Sequence, residues 1–212
     1  MNTGYSLQFT EEMKGWFGWG ESDYQRGVER GRKAENSVMF HLTIVVEDVH
    51  RFVGDPTHAA HAHGWVASDV LGGRLPVQSG LFNLFVTDGP GKRRMLYRLF
   101  FADSVGHPLT LTGFKDIHGG SPMDVWPETS TLYTTILRGH VEDGGEGALV
   151  GSGMLRILPQ DFARQLTTFR VSGPGLRGRG AALGEFLQLF LGQLWTVFSR
   201  GGGAGRGSRG AA

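Results

Sequence analysis

Glycine recurs between short apolar runs along most of this chain, and it makes up 35 of the 212 residues. Glycine and its usual companions in turns also fill the connections, which read DGPGK, DSVGHP, HGGSP and EDGGEG. Apolar runs punctuated in this way are typical of many short strands joined by tight turns. The pattern therefore favours a mainly β protein.

Nine strand-like runs follow one another with short links, and they become ten if one long run bends into two. They cover residues 7–17, 38–48, 61–67, 75–87, 93–103, 109–117, 131–142, 148–158 and 166–172. Short links between successive strands favour an up-and-down meander, which removes its open edges by closing on itself. A chain of this length suits one such domain. We therefore expect an all-β fold over residues 1–200, a closed antiparallel meander β-barrel of about ten strands with a C-terminal amphipathic helix.

Two segments have helical character. Residues 23–35 are polar and helix-compatible, although Gly27 and Gly31 weaken a helix by about 1 kcal/mol each. Residues 181–199 carry an apolar stripe at three- and four-residue spacing, formed by Leu183, Phe186, Leu187, Phe190, Leu191, Leu194 and Phe198. The stripe favours a helix packed on the barrel or across its mouth, and the alternatives are a dimer-forming face and a membrane-surface helix. Residues 201–212 have nothing apolar to bury, which predicts a disordered tail.

Composition excludes several classes of protein. The chain has no cysteine, which excludes disulfides, a thiolate nucleophile and a cysteine-ligated zinc, and fits a reducing cytoplasm. The net charge is +1, and the basic residues near the C-terminus are scattered among glycines, so we expect no nucleic-acid partner. The N-terminus has no apolar signal core, and the stretch 181–198 is too polar to cross a bilayer. Nucleophile-elbow, phosphate-loop and dinucleotide-binding motifs are missing.

Alternation along the strands predicts which side chains face the barrel interior. On the run 93–103, the face that carries Arg94 and Arg98 is the costlier one to bury, so the opposite face should line the lumen. The runs 75–87 and 131–142 each have a face on which polar and apolar residues alternate along the strand, and each such face is a further candidate for lining the lumen. The side chains predicted to contact a small molecule are Asn83, Phe85, Tyr97, Leu99, Phe101 and Thr131. The alternative is a barrel filled by its own side chains.

The motif GFKDI is the first candidate for chemistry, because Lys115 and Asp116 end an apolar strand. Adjacent strand residues point to opposite faces, so only one of the two can enter the lumen. An enclosed aspartate can act as a general acid and then as a base. An enclosed lysine can stabilise an oxyanion or keep the aspartate ionised. The alternative for both is a solvated strand end.

Weaker candidates lie on other strands. His41 and Tyr133 alternate with apolar or hydroxyl neighbours and are candidate proton carriers, although a strand histidine is more often structural. Glu11 shares a face with Phe9 and ranks behind Asp116 as a carboxylate source. The neighbouring glutamate is expected at the surface, and Arg164 and Gln165 are expected to flank a turn with a structural role.

A histidine cluster in DPTHAAHAHGW raises the question of a metal site. His61 and His63 would point to one face of a strand, as in cupins. Cupins follow this pair with a nearby glutamate, and none occurs before the end of this strand. We therefore predict no metal and no cofactor.

Six segments, taken together, carry a family resemblance. They read FTEEMKGW, GLFNLFV, MLYRLFF, PLTLTGFKDI, TSTLYTTILRGHV and ILPQDFARQLTTFR. The set is similar to a domain of actinobacterial proteins, sometimes found alongside glucose–methanol–choline-type oxidoreductases. It also resembles the small standalone spiroacetal (spiroketal) cyclases of macrolide polyketide pathways, the oligomycin and ossamycin type. The resemblance covers residues 7–198.

The resemblance implies a β-barrel whose cavity holds polar residues for acid/base closure of a dihydroxyketone polyketide, with loss of water and without a cofactor. It does not itself specify the positions, so the catalytic candidates are those from strand alternation, with GFKDI first. They are Asp116, Lys115, His41 and Tyr133. The implied partner is an apolar small molecule, and the sequence does not decide whether the chain forms a homodimer. The alternatives are a non-catalytic lipid- or sterol-binding barrel that serves an oxidoreductase, and an interaction module with a filled lumen.

Overall fold

The computed structural model describes residues 4–87, 93–117 and 130–201. Its strands are β1 (Ser6–Trp19), β2 (Ser37–Val46), β3 (Ala59–Ser68), β4 (Gly73–Pro76), β5 (Ser79–Thr87), β6 (Arg93–Ala102), β7 (Pro108–Ile117), β8 (Thr131–Arg138), β9 (Leu149–Arg156) and β10 (Arg170–Ser172). The helices are α1 (Tyr24–Lys33), α2 (Val49–Gly54), α3 (Pro159–Leu166) and α4 (Leu176–Gly201), with a 3₁₀ turn at Asp69–Leu71.

Eight of the strands form a closed antiparallel barrel. They pair in the order β1, β2, β3, β5, β6, β7, β8 and β9, and β9 pairs back with β1. Outside this ring, β4 pairs with β3 and β10 pairs with β1. The predicted closed meander is confirmed, and the run 75–87 divides into β4 and β5.

One predicted strand is wrong. Most of the run 166–172 is not extended, because the preceding residues form α3 and only Arg170–Ser172 pair as β10. Pro159 stands at the first helical position, where its missing N–H costs nothing and its fixed φ suits a helix. Arg164 and Gln165 therefore lie in the last turn of a helix, and their carbonyl oxygens accept the N–H groups of the turn that leads to β10.

The strand β1 changes partner along one of its edges. It pairs with β10 at Ser6–Gln8 and with β9 only from Lys14 onward. Between these points, from Phe9 to Met13, this edge has no strand partner among the described residues, and we call this stretch the β1 gap. Thr10 donates its backbone N–H to Thr168 Oγ1 at 2.8 Å there. The helix α3 is tied beside the gap by Lys14 Nζ, 3.4 Å from Asp161 Oδ2.

The barrel interior is filled at the end where β1 finishes, which we call the lower end. Leu99 and Phe101 on β6 and Leu109 and Leu111 on β7 are completely or almost completely buried there. At the upper end, where β1 begins, α4 packs across the barrel. The ring of Phe186 lies 6.2 Å from that of Phe9. The predicted stripe therefore faces the barrel as far as it is described, whereas the side chains of Leu191, Leu194 and Phe198, and the tail from residue 202, lie outside the described residues.

The helix α1 packs on the outside of the barrel through glycine. The helix starts at Asp23, whose side chain accepts the backbone N–H of Arg26 at 2.8 Å. A Cβ added to Gly27 would overlap the carbonyl oxygen of Ser152 on β9, and one added to Gly31 would overlap the backbone of Phe17 on β1. The two glycines that weaken the isolated helix thus permit its close approach to the seam where the barrel closes.

We expect Gly27→Ala to lower the free energy of unfolding by about 1–3 kcal/mol, because overpacking outweighs the gain in helix propensity. Urea unfolding followed by circular dichroism measures the change. Gly184→Ala is the matched control, since Gly184 lies in α4 with open space around it. This control should be neutral or gain about 0.5–1 kcal/mol. An unchanged Gly27→Ala variant would show that the helix can move away from β9 at no cost.

No helix among the described residues has both the length and the apolar character needed to cross a membrane.

Candidate active site

A cavity of about 190 Å³ lies at the upper end of the barrel, beneath α4 and beside the β1 gap. Most of its wall is apolar or aromatic. The lining residues come from four strands, two helices and the segments on either side of α3: Phe9, Glu11, Phe82, Leu84, Met95, Tyr97, Lys115, Ile157, Phe162, Gln165, Leu166, Phe169, Phe186 and Phe190. An apolar chamber with a few convergent polar groups is the usual make-up of a small-molecule site.

Three polar side chains from three strands meet in this cavity. Glu11 on β1 accepts a hydrogen bond from Lys115 Nζ of β7 at 2.7 Å, through Oε1. Its other oxygen, Oε2, accepts a hydrogen bond from the Tyr97 hydroxyl of β6 at 2.8 Å. All three residues are at most 3% exposed. We call Glu11, Lys115 and Tyr97 the buried triad.

The triad contains an ion pair, Glu11 with Lys115, in a low-dielectric environment. Removing a carboxylate and an ammonium from water costs several kcal/mol per ion, and only close pairing with further hydrogen bonds offsets it. Here the carboxylate takes a charge-assisted bond on one oxygen and a phenol on the other. The Lys115 ammonium also lies 5.3 Å from the centroid of the Tyr97 ring, within the range of a cation–π contact. This arrangement is costly for a fold that needs only a packed core.

Burial raises the pKa of Tyr97 well above its usual value, and the negative charge and hydrogen bond of Glu11 raise it further. Tyr97 is therefore held as a neutral donor. Because the folded pKa exceeds the unfolded one, this contribution to stability is present in full below about pH 10 and is lost as the pH rises towards the folded pKa.

We therefore expect the free energy of unfolding to fall above about pH 10, by up to about 1.4 kcal/mol per pH unit from this group alone. Tyr97→Phe should remove that part of the slope. Tyr133→Phe, on the outer face of β8, is the control and should keep it. Urea unfolding between pH 7 and pH 11 measures all three proteins, and an identical slope in Tyr97→Phe would contradict the assignment.

A fourth polar side chain lines the cavity from α3. The Oε1 atom of Gln165 is buried and has no hydrogen-bond partner among the described residues. Buried side-chain oxygens in proteins are nearly always bonded. The Oε1 atom of Gln165 is thus an acceptor at the cavity wall that no described residue bonds.

The structure divides the GFKDI pair as strand geometry requires. Lys115 enters the cavity, and Asp116 lies on the outer face of β7, where Arg94 Nε is 2.6 Å from its Oδ1. Asp116, the first candidate for an enclosed acid, therefore does not line the cavity. Glu11, which ranked behind it, occupies that position.

His41 and Tyr133 also lie outside the barrel wall. His41 stacks on Trp65 with 5.5 Å between ring centroids, and its Nδ1 is 3.5 Å from Glu12 on the neighbouring strand. Tyr133 stacks on Phe114 at 5.3 Å, beneath α1. Neither side chain lines the cavity. On β8, the strand of Tyr133, the inward face is the one that carries Leu132, Thr134 and Ile136.

Of the six predicted ligand contacts, only Tyr97 lines the cavity. Leu99 and Phe101 face inward but pack in the filled lower half. Asn83 turns outward and donates from Nδ2 to the carbonyl oxygen of Thr57 at 2.9 Å, and Thr131 lies on the outer face of β8.

Phe85 is buried through an irregularity in β5. The register shifts between Asn83 and Val86, and Phe85 takes a φ of +54°, so Leu84 and Phe85 are both buried. Phe85 packs against Phe190 of α4, with ring centroids 5.9 Å apart. This bulge ends the strict alternation on which the predicted face relied.

The histidines of the DPTHAAHAHGW motif separate in space. His58 is buried, with Nδ1 2.9 Å from the carbonyl oxygen of Leu84. His61 and His63 share the exposed face of β3, and His61 Nε2 lies 3.7 Å from Glu47. In the part of the chain that the structure describes, no three histidine, aspartate or glutamate side chains gather as a metal site.

Two polar groups of the cavity were undervalued from the sequence. Glu11 alternates with Phe9 and Met13, and that inward pattern was its visible signal. Gln165 carries no comparable signal, because it was expected to flank a turn with a structural role and the helix that carries it was not expected.

No protein-family model, curated protein or solved structure matches this chain. The resemblance to spiroacetal cyclases therefore rests on the sequence motifs alone.

Proposed function

We propose that this chain is a spiroacetal cyclase that closes a dihydroxyketone polyketide of the macrolide type to a spiroketal with loss of water. The observation that carries the proposal is the buried triad: a carboxylate, an ammonium and a phenol converge in an apolar cavity. The reaction needs only proton transfer, so the proposal includes no metal or redox cofactor. It also includes a cytoplasmic location and a role in antibiotic biosynthesis.

The triad offers each group that the ring closure requires. One hydroxyl first adds to the ketone to give a hemiketal. The Lys115 ammonium then donates a proton to the departing hydroxyl, which leaves as water, and the nearby Glu11 carboxylate stabilises the oxocarbenium ion. The second hydroxyl attacks this ion and loses its proton to Glu11. Transfer of that proton along the 2.7 Å bond to Lys115 restores the starting state.

The cavity size indicates which part of such a substrate would enter. Sites for drug-sized ligands measure about 300–1,000 Å³, and an apolar cavity of about 150 Å³ holds benzene. At about 190 Å³, the space bounded by the described residues accepts a group of one or two small rings. The reacting segment would enter it, held by the aromatic wall in one folded conformation, and the rest of the macrolide would lie outside.

A second function, non-catalytic carriage of a lipid or sterol, is favoured by the aromatic wall. A carrier needs an apolar chamber but not three titratable groups in contact with one another. The triad is therefore the observation that separates the two functions, and it supports catalysis.

The test is to incubate the purified protein with a dihydroxyketone macrolide precursor and to follow loss of water by mass spectrometry. We expect acceleration over buffer and a single spiroketal stereoisomer. Binding of the precursor without acceleration would favour the carrier. If an authentic precursor neither binds to the protein nor cyclises faster than in buffer, both functions are overturned.

A further inference from the structure

The unpaired amide oxygen of Gln165 indicates a second polar anchor in the cavity. It comes from α3, and the triad comes from β1, β6 and β7. The triad groups already bond to one another, with Glu11 bonded to both Lys115 and Tyr97. Gln165 Oε1, in contrast, is buried without a partner among the described residues.

We propose that Gln165 determines ligand specificity by binding a hydroxyl group of an otherwise apolar ligand in this cavity. A buried amide oxygen left unpaired costs free energy that a ligand donor would recover. A hydroxyl both donates and accepts, so it satisfies the site with either orientation of the amide. A purely apolar ligand would leave the amide unpaired, and a site of this kind discriminates strongly against analogues that lack the polar group.

The neighbours of Gln165 favour a ring-sized ligand. Phe162 and Leu166 on the same helix line the cavity with it, and Phe169 follows directly before β10. Phe169 stacks on Phe9 with 5.0 Å between ring centroids. A ligand ring would therefore contact aromatic faces while its hydroxyl meets the amide. The inference rests on the cavity being a ligand site, as the proposed function requires, and not on ring closure.

The test compares p-cresol with toluene, which differ by one hydroxyl and match the cavity in size. Isothermal titration calorimetry measures both dissociation constants for the wild type and for Gln165→Met, which keeps the side-chain length and loses the amide. We expect Gln165→Met to weaken p-cresol binding about fivefold and to leave toluene binding within twofold. Gln188→Met, on the exposed side of α4, is the matched control and should change neither constant.

Two results would overturn the inference. Equal weakening of both probes would assign Gln165 a wall-packing role, and unchanged binding of both would assign hydroxyl recognition to the triad. Turnover of the dihydroxyketone is measured separately. Loss of the p-cresol preference in Gln165→Met without any cyclisation by the wild type would refute the proposed function alone. Cyclisation with an unchanged preference would refute this inference alone.

Discussion

Glu11→Gln should lower kcat for ring closure by about 10²–10⁴-fold, the range that a positioned proton-transfer group contributes. The substitution keeps the length and planar end of the side chain, and its amide oxygen can still accept from Lys115 or Tyr97. In the proposed mechanism it removes both the negative charge that would stabilise the oxocarbenium ion and the base that would receive the proton. The measurement is turnover per folded molecule, with the folded fraction determined by circular dichroism in the same buffer.

Two controls lie close to the triad in sequence. Glu12→Gln changes the adjacent β1 residue, which lies outside the barrel near Lys14 and His41. Asp116→Asn changes the neighbour of Lys115, whose Oδ1 lies 2.6 Å from Arg94 Nε. Both should retain turnover within a few-fold of wild type. If Asp116→Asn lost turnover while Glu11→Gln kept it, the chemistry would belong to the outer face of β7 and not to the cavity.

Breaking the triad one member at a time should cost much more stability than removing it whole. Glu11→Leu leaves the Lys115 ammonium buried without its carboxylate, which should lower the free energy of unfolding by about 3–5 kcal/mol. Lys115→Met leaves the carboxylate with only the Tyr97 hydroxyl and should cost a similar amount. The triple variant Glu11→Leu, Lys115→Met, Tyr97→Phe replaces all three by apolar groups of similar volume. It should unfold at about the wild-type urea concentration or above, with no cyclase activity.

The triple variant also separates a structural role from a functional one. Wild-type stability together with lost turnover would mean that the ion pair serves chemistry and not folding. A triple variant as unstable as the single ones would instead show that the triad holds β1, β6 and β7 in position. Glu12→Leu is the matched control for the single change on β1, and it should cost less than about 1 kcal/mol because its pairs are surface pairs.

The sequence predicted the barrel because apolar runs alternate with glycine-rich turns and short links join successive strands, which favours a closed meander. On β6 the assignment of faces was also correct, since burying Arg94 and Arg98 would leave charges without water. On β8 both faces carry polar and apolar residues, so alternation gave no preference, and the outward face was taken for the one that lines the lumen. On β5 both faces are largely apolar, so alternation did not show that Phe82 and Leu84 face inward, and the irregularity between Asn83 and Val86 buries Phe85 as well.

The catalytic candidates depended on pairing across long distances in sequence. Glu11 ranked behind Asp116 because its shared face with Phe9 and Met13 was the only feature that marked it in the sequence. Its partner Lys115 is 104 residues away, and only the closed barrel brings the two within 2.7 Å. Asp116 ranked first because it ends an apolar strand beside Lys115, and alternation left open which of the two enters the lumen. Lys115 was already a candidate from the sequence, and only the face of β7 on which it lies was left open.

The β1 gap bears on how this chamber can be redesigned. Neighbouring strands do not close the wall beside Glu11, and the segment 159–169 covers it, contributing Phe162, Gln165, Leu166 and Phe169 to the cavity. These four residues belong to no strand of the eight-strand ring. Substitutions in this segment can therefore change the shape of the cavity without changing any residue of the ring or of the buried triad.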